Sequence, residues 1–405
     1  MQKNKSESFF VIFSLWLLVF SASCQIMIIA PILPEIGRTL DTPTQLLGSL
    51  ITIYAVMVGI FALIMGPLSD KIGRRKVLIL GSGSMAFFLF CHAFVFDFYS
   101  FLTVRALAGI AGGVLSGAAV AYVGDYFPYE KRGWANGWVM SGIAVGQILG
   151  IPIGTFLTEA FHFKTPFIVF GVIMSLTFLV IFFKVPQPNV VLHSNKLTIL
   201  SSLSKYVELL KRPDVAYVAF SYLLMFLSLS VFIIYLPTWL QDSFNTSLTS
   251  IGYIFAAGGL ANVIAGPLSG WLSDKVGRKN MIVTSCLGLS LLMYFTTFFV
   301  TRIELAFLLF PMAMILIAMR ISPFQALSSE LVKSNNRGTL MSLLVAIGQV
   351  GYGVGGSIAG PLYSAYGYRS NTYFGAIAIL LMAFIVWKFV PEPKLVKSPV
   401  LVKTS

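Results

Sequence analysis

The sequence predicts an all-α membrane protein of twelve transmembrane helices, arranged as two pseudo-symmetric six-helix bundles. Three observations predict it: too little charge for a water-facing surface, twelve apolar runs of membrane-spanning length, and a charged motif repeated at one offset. Of the 405 residues, 57% are hydrophobic and 11% charged, whereas a soluble domain carries about 25% charged residues. Apolar segments recur at 9–30, 46–68, 76–96, 99–123, 134–157, 165–184, 214–238, 249–272, 279–300, 303–328, 337–361 and 369–390. Each is long enough to cross a hydrocarbon core about 30 Å thick. With no water in that core, each must close its own backbone hydrogen bonds as a helix.

The first run follows Lys3 and Lys5, as in a signal peptide, but it continues past Ser21-Ala22-Ser23-Cys24 to Ala30. That is too long for a signal core, so a retained first span is expected. The net charge is +13, and its distribution sets the orientation. Of the 28 Lys and Arg, 22 fall in segments on the side of the N-terminus. Four lie on the other side (Arg38, Lys164, Arg302 and Arg369), and Arg105 and Arg320 lie inside spans. The positive-inside rule then places both termini in the cytoplasm, in a plasma membrane of the bacterial inner-membrane kind. Basic residues strung along one membrane face also argue against a nucleic-acid partner.

The longest interruption divides the chain into a first half at 1–184, a linker at 185–213, a second half at 214–390 and a tail at 391–405. Within the linker, Ile199, Leu203, Val207 and Leu210 recur at helical spacing opposite Lys205, Glu208 and Lys211. That pattern predicts an amphipathic helix lying on the cytoplasmic surface.

The loop after the second span reads Gly66-Pro67-Leu68-Ser69-Asp70-Lys71-Ile72-Gly73-Arg74-Arg75, and the loop after the eighth reads Gly270-Trp271-Leu272-Ser273-Asp274-Lys275-Val276-Gly277-Arg278-Lys279. Both fit G-x-x-x-D-K-x-G-R-[RK], displaced by 204 residues. After spans 4 and 10, Asp125 precedes Arg132-Gly133, and Glu330 precedes Arg337-Gly338, by the same seven residues, displaced by 205. Two independent echoes at nearly one offset indicate a six-plus-six duplication.

The doubled loop resembles the signature of the major facilitator superfamily, and the resemblance covers nearly the whole chain. It implies that fold, alternating access, and a latching role on the cytoplasmic face for Asp70, Arg74 and Asp125 and their counterparts Asp274, Arg278 and Glu330. Arg105-Ala106-Leu107-Ala108-Gly109 is similar to an R-x-x-x-G element of the drug:proton antiporter branch. Gly142, Gly146, Gly150 and Gly154 resemble that branch's glycine-rich element in span 5. There Gln147 stands where the branch usually has proline, which arrives only at Pro152.

Polar groups inside spans are expensive and so are candidates for function: an Arg at mid-membrane costs about 2.5–3.5 kcal/mol on insertion scales. Arg320 is expected in the central cavity, while Arg105 either faces water or a partner or snorkels to the outer interface. By the resemblance spans 1, 4, 7 and 10 line the cavity, which adds Gln25 and Gln325, then Tyr222 and Tyr235, to the substrate candidates, with Asn262 of span 8 as a further polar candidate. Each amide has an alternative as interhelical glue. The glycine stripe of span 5, and that of span 11 at Gly348, Gly351, Gly355, Gly356 and Gly360, are read as surfaces that slide or bend.

No phosphate-binding G-x-x-x-x-G-K-[ST] loop is present, the histidines are scattered, and the three cysteines make no metal spacing. No enzyme activity, cofactor or metal is expected. The function expected is secondary transport of hydrophobic or amphipathic small molecules, outward and proton-coupled, by a monomer. The coupling acid is hard to place, because no Asp or Glu lies mid-span; Glu35, at the outer end of span 1, is the first candidate. A transporter or facilitator of a polar anion, sugar or other metabolite is the main alternative. A lysolipid transporter or a non-transporting sensor is less consistent with Cys24-Gln25 in span 1 and with the short tail.

Overall fold

The computed structural model describes residues 5–188, 199–332 and 334–391, and the side chain of Asp70 lies outside the described residues. Among the described residues, twelve helical segments are long and apolar enough to cross a membrane. They are span 1 (Ser8–Met27), 2 (Thr44–Met65), 3 (Arg74–Phe94), 4 (Phe98–Tyr126), 5 (Glu130–Ala160), 6 (Thr165–Lys184), 7 (Pro213–Phe244), 8 (Leu248–Val276), 9 (Arg278–Phe299), 10 (Ile303–Glu330), 11 (Asn336–Tyr366) and 12 (Tyr368–Phe389). The described residues contain no strand. In the first half span 4 packs on spans 2 and 3, and span 1 on spans 5 and 6. The second half repeats this, with span 10 on spans 8 and 9 and span 7 on spans 11 and 12.

Chain chemistry explains where helices break. Spans 1 and 7 interrupt at matching places, after Met27 and at Tyr235, and resume as Ile29–Thr39 and Leu236–Phe244. Pro31 and Pro237 lack the N–H that would bond four residues back, across each break. The two resumed segments pack on each other. Span 4 breaks at Ser116-Gly117, where Gly117 takes φ +73° in open space; a side chain there would strain the backbone. Span 10 runs unbroken through the corresponding region. Span 5 widens to a π-turn over Gly146–Gly150, just before Pro152 withdraws a donor. Span 4 opens on a capping box, in which Asp97 accepts from the Ser100 amide at 2.8 Å. Those hydrogen bonds hold the Asp97 carboxyl below the usual range.

The linker helix forms at Ile199–Leu210 and packs on spans 2, 7 and 11. Among its described side chains Tyr206 and Leu209 are buried, whereas Val207 and Leu210 of the expected apolar line are exposed. The helix is therefore pinned to the bundles through Tyr206 and Leu209, with Val207 and Leu210 turned away from them; the side chains of Ile199 and Leu203 lie outside the described residues. Residues 189–198 of the linker and 392–405 of the tail lie outside the described residues.

Candidate functional site

The two repeated loops adopt one backbone geometry. Gly73 and Gly277 each end a helix at φ +98°, a conformation that a side chain would strain. The turn aims the following arginine back at the end of span 4 or span 10. Arg74 Nε donates to Asp125 Oδ2 at 2.6 Å, and its Nη1 to Ser69 Oγ at 2.8 Å. Arg278 Nη1 meets Glu330 Oε1 at 2.6 Å, and its Nη2 lies 3.4 Å from Asp274 Oδ1. The two echoes found separately in the sequence thus meet in space, once per half. Both ion pairs join elements of the same half. Gly270 faces Ser322 of span 10.

Contacts between the halves are concentrated toward the ends of the spans opposite the basic loops. Near the face opposite the basic loops, Tyr235 is sealed from solvent; its hydroxyl accepts the Gly48 N–H at 3.0 Å and donates to the Thr44 carbonyl at 2.7 Å. Beside it, Thr52 Oγ1 donates to the Gly353 carbonyl at 2.7 Å. A methyl group added at Gly48 would collide with the carbonyl of Gly356, so spans 2 and 11 touch backbone to backbone. Across spans 5 and 8, Glu159 Oε2 accepts the Thr249 N–H at 2.7 Å, capping the amide end of span 8 from the other half. Gly252 abuts Thr155 and Pro152, and Gly259 abuts Gln147 and Ile148, but Gly266, next on the same stripe, meets nothing within 4 Å. The spans therefore close toward the face opposite the basic loops and part toward the basic one.

The closed side carries a cavity of about 760 Å³ that includes Glu35, Arg38, Glu159, His162 and Asp242. Glu35 pairs with Arg38 at 2.8 Å, which is the ordinary interfacial arrangement. Burial, then the charge of Lys164, holds His162 below the usual imidazole range, against a smaller opposing pull from Glu35.

Other expected site residues are redistributed. Gln25 and Arg105 are sealed inside the first half. Arg105 Nη1 donates to Gln25 Oε1 at 3.1 Å, Gln25 Nε2 to the Tyr54 hydroxyl at 2.8 Å, and the guanidinium lies 4.2 Å from the centre of the Tyr54 ring. Arg105 therefore neither snorkels nor lines a cavity, and Gln25 serves it rather than an open site. Arg320 is also fully buried and lines no open cavity in this arrangement. Its three guanidinium nitrogens have no hydrogen-bond partner among the described residues. Tyr222 is buried and stacks on Phe324 at 4.8 Å. Tyr235 clasps the two halves rather than facing a substrate site. Gln325 is exposed. Asn262 Nδ2 donates to Gln147 Oε1 at 3.3 Å, across the halves.

The span-5 glycines are packing surfaces. Gly142, Gly146, Gly150 and Gly154 each press on span 1 of their own half, against Trp16, Ser23, Cys24 and Ile28. In span 11, Gly348, Gly351 and Gly355 press on span 7 of their own half, while Gly353, Gly356 and Gly360 meet span 2 of the other. In this arrangement the small residues of span 5 let helices of one half approach closely.

The family model described as Major Facilitator Superfamily matches residues 15–238 and 218–403, nearly the whole chain. The chain belongs to the major facilitator superfamily. Relatives of this superfamily member include the Uncharacterized MFS-type transporter YceJ of Bacillus subtilis, 27% identical and covering 90% of this chain and 91% of the relative. Multidrug resistance protein MdtG of Proteus mirabilis is 25% identical, covering 93% and 94%. The Multi-drug resistance efflux pump PmrA of Streptococcus pneumoniae is 25% identical, covering 67% and 68%. Among solved structures, a D-xylose-proton symporter superposes with TM-score 0.76 at 18% identity, covering 96% of this chain and 99% of that one. A bacterial homolog of the lysosomal transporter Spinster, in an inward-facing and unoccupied conformation, gives 0.73 at 15% identity, covering 95% and 96%. These two share the fold. The protein is thus a multi-pass membrane protein of a transporter superfamily.

Sequence reasoning missed Tyr54, Glu159 and the clasp residues Thr44, Gly48 and Thr52. A heptad of glycines at Gly252, Gly259 and Gly266 was the available signal for the span 5–8 seam.

Proposed function

We propose that this protein is a secondary active transporter that exports hydrophobic or amphipathic small molecules from a bacterial cytoplasm, by alternating access and in exchange for protons. The observation that carries the reading is one-sided closure: contacts between the halves run from the Tyr235 clasp to the Gln147–Asn262 pair, whereas Gly266, one heptad beyond Gly259, meets nothing within 4 Å. Residues 1–184 and 214–390 then rock as two bundles about the 185–213 linker. The charge asymmetry supports a cytoplasmic location for the basic face and both termini, and on that orientation this arrangement is open inward. The twin arginine–carboxylate pairs hold each loop to its own half while the halves move. Kinship with MdtG and PmrA supports the drug-efflux direction over a metabolite carrier. Protons enter from the opposite face, through the cavity that holds Glu35, Glu159 and Asp242. The monomer is the working unit.

Expression in a drug-hypersensitive bacterial host tests this. Tolerance to some lipophilic compounds should rise, and a protonophore should abolish the gain. A broad panel with no affected compound overturns efflux; a gain that survives the protonophore overturns proton coupling.

A further inference from the structure

Resting on the export reading above, we infer that Gln147 and Asn262 form the polar contact of the substrate site, and that the site prefers an uncharged amphipath bearing a secondary amide. The pair sits where spans 5 and 8 part. Gln147 is packed on Gly259, and one heptad further Gly266 faces open space. Both side chains are half-buried rather than sealed, unlike Gln25, Arg105 and Arg320.

Their direction follows from helix geometry. On span 8, Gly259 touches Gln147 of span 5, and Gly258 touches Phe310 and Met314 of span 10. At about 100° per residue, Asn262 falls on the arc between them, about 60° from Gly259 and about 40° from Gly258. It therefore faces the interior between spans 5 and 10 and not lipid. On span 5 the π-turn over Gly146–Gly150 holds Gln147; such turns interrupt the regular ladder and re-aim side chains, often at functional sites.

The ligand chemistry follows from what the pair leaves unused. One hydrogen bond, Asn262 Nδ2 to Gln147 Oε1, joins the two amides. The Gln147 amino group and the Asn262 carbonyl oxygen have no partner among the described residues. The free Gln147 amino group can donate to a C=O and the free Asn262 carbonyl can accept from an N–H, so a secondary amide satisfies both groups at once. No Asp or Glu lies mid-span to neutralise a cation, and the buried guanidinium groups of Arg105 and Arg320 are sealed away from an anion. A neutral head on an apolar body fits that environment.

Two isosteric probes isolate the hydrogen bonds: benzanilide, with an amide between two phenyl rings, and trans-stilbene, with an alkene there. Binding of labelled benzanilide to the full-length protein in lipid nanodiscs, corrected for protein-free discs, is competed with each unlabelled compound. The wild type should prefer benzanilide about tenfold after lipid partitioning is subtracted. Gln147→Leu and Asn262→Leu should each erase the preference, with little effect on stilbene. The exchanged pair, Gln147→Asn with Asn262→Gln, should restore it. A wild type that binds no benzanilide or shows no preference, or Leu variants that keep it, overturn the inference. If Leu variants weaken both probes equally, the pair is packing only, which also overturns it. Protonophore-sensitive drug tolerance in cells, together with no amide preference in nanodiscs, would sink this inference while leaving the export reading intact.

Discussion

Tyr235→Phe removes one oxygen that joins the halves twice. The phenol accepts from Gly48 N–H and donates to the Thr44 carbonyl at a site with no solvent exposure. At about 0.5–1.5 kcal/mol net per hydrogen bond, the clasp contributes about 1–3 kcal/mol to closure of the face opposite the basic loops. Losing it shifts the inward-to-outward ratio by about 5- to 150-fold toward outward. The ring remains, so its stacking on Tyr363 at 5.3 Å is retained. The assay is a spin-label distance measurement between Phe161→Cys in the first half and Tyr366→Cys in the second, both exposed, with Cys24, Cys91 and Cys286 replaced. The parent should show one dominant short distance, and Tyr235→Phe should add a longer population. Tyr363→Phe is the control, because its hydroxyl bonds Asp242 of its own half. A Tyr235→Phe distribution equal to the parent's, or matched by Tyr363→Phe, refutes the reasoning.

Arg320→Met should raise the melting temperature of purified protein, since an unpartnered buried guanidinium costs about 2.5–3.5 kcal/mol on insertion scales and a methionine of similar length does not; a lower melting temperature would show that Arg320 has a partner that stabilises it. Gln25→Ala should lower it, by about 1–3 kcal/mol of stability, because Arg105 then loses a buried acceptor. Asp125→Asn should impair transport in cells, with recovery in the exchanged pair Arg74→Asp with Asp125→Arg; the stability loss should be about 1.5–3 kcal/mol, as for a hydrogen bond to a charged group in a pair that is mostly buried. Acidification should weaken closure of the face opposite the basic loops through His162. Its pKa is lowered in the closed state, so its contribution is present above its unperturbed value near 6.5 and is lost as pH falls through that value. The same label pair, read at pH 7.5 and 5, should show opening that His162→Gln reduces; an unchanged pH response in that variant would remove His162 from the mechanism.

The spans were legible because a bilayer imposes a length and a composition on each helix. The repeat was legible because a tight turn needs glycine where φ is positive, and both Gly73 and Gly277 meet that need. Side-chain destinations were less legible. Arg105 and Arg320 look alike in sequence, each a lone charge in an apolar run. One finds an amide and a carbonyl at hydrogen-bonding distance, and the other finds none among the described residues. Glycine stripes announce close approach without naming the partner helix: those of span 5 meet span 1, whereas span 11 presents one stripe to each half.

The sequence by itself determined the twelve helices, their duplication and the charge asymmetry across the membrane, because each depends on local composition read against a fixed solvent. Only the tertiary structure decided which polar groups are sealed, which clasp the halves and which stand at the fork between spans 5 and 8. Those outcomes depend on helix rotation and on neighbours more than a hundred residues away, as between Gln147 and Asn262 or Gly48 and Tyr235.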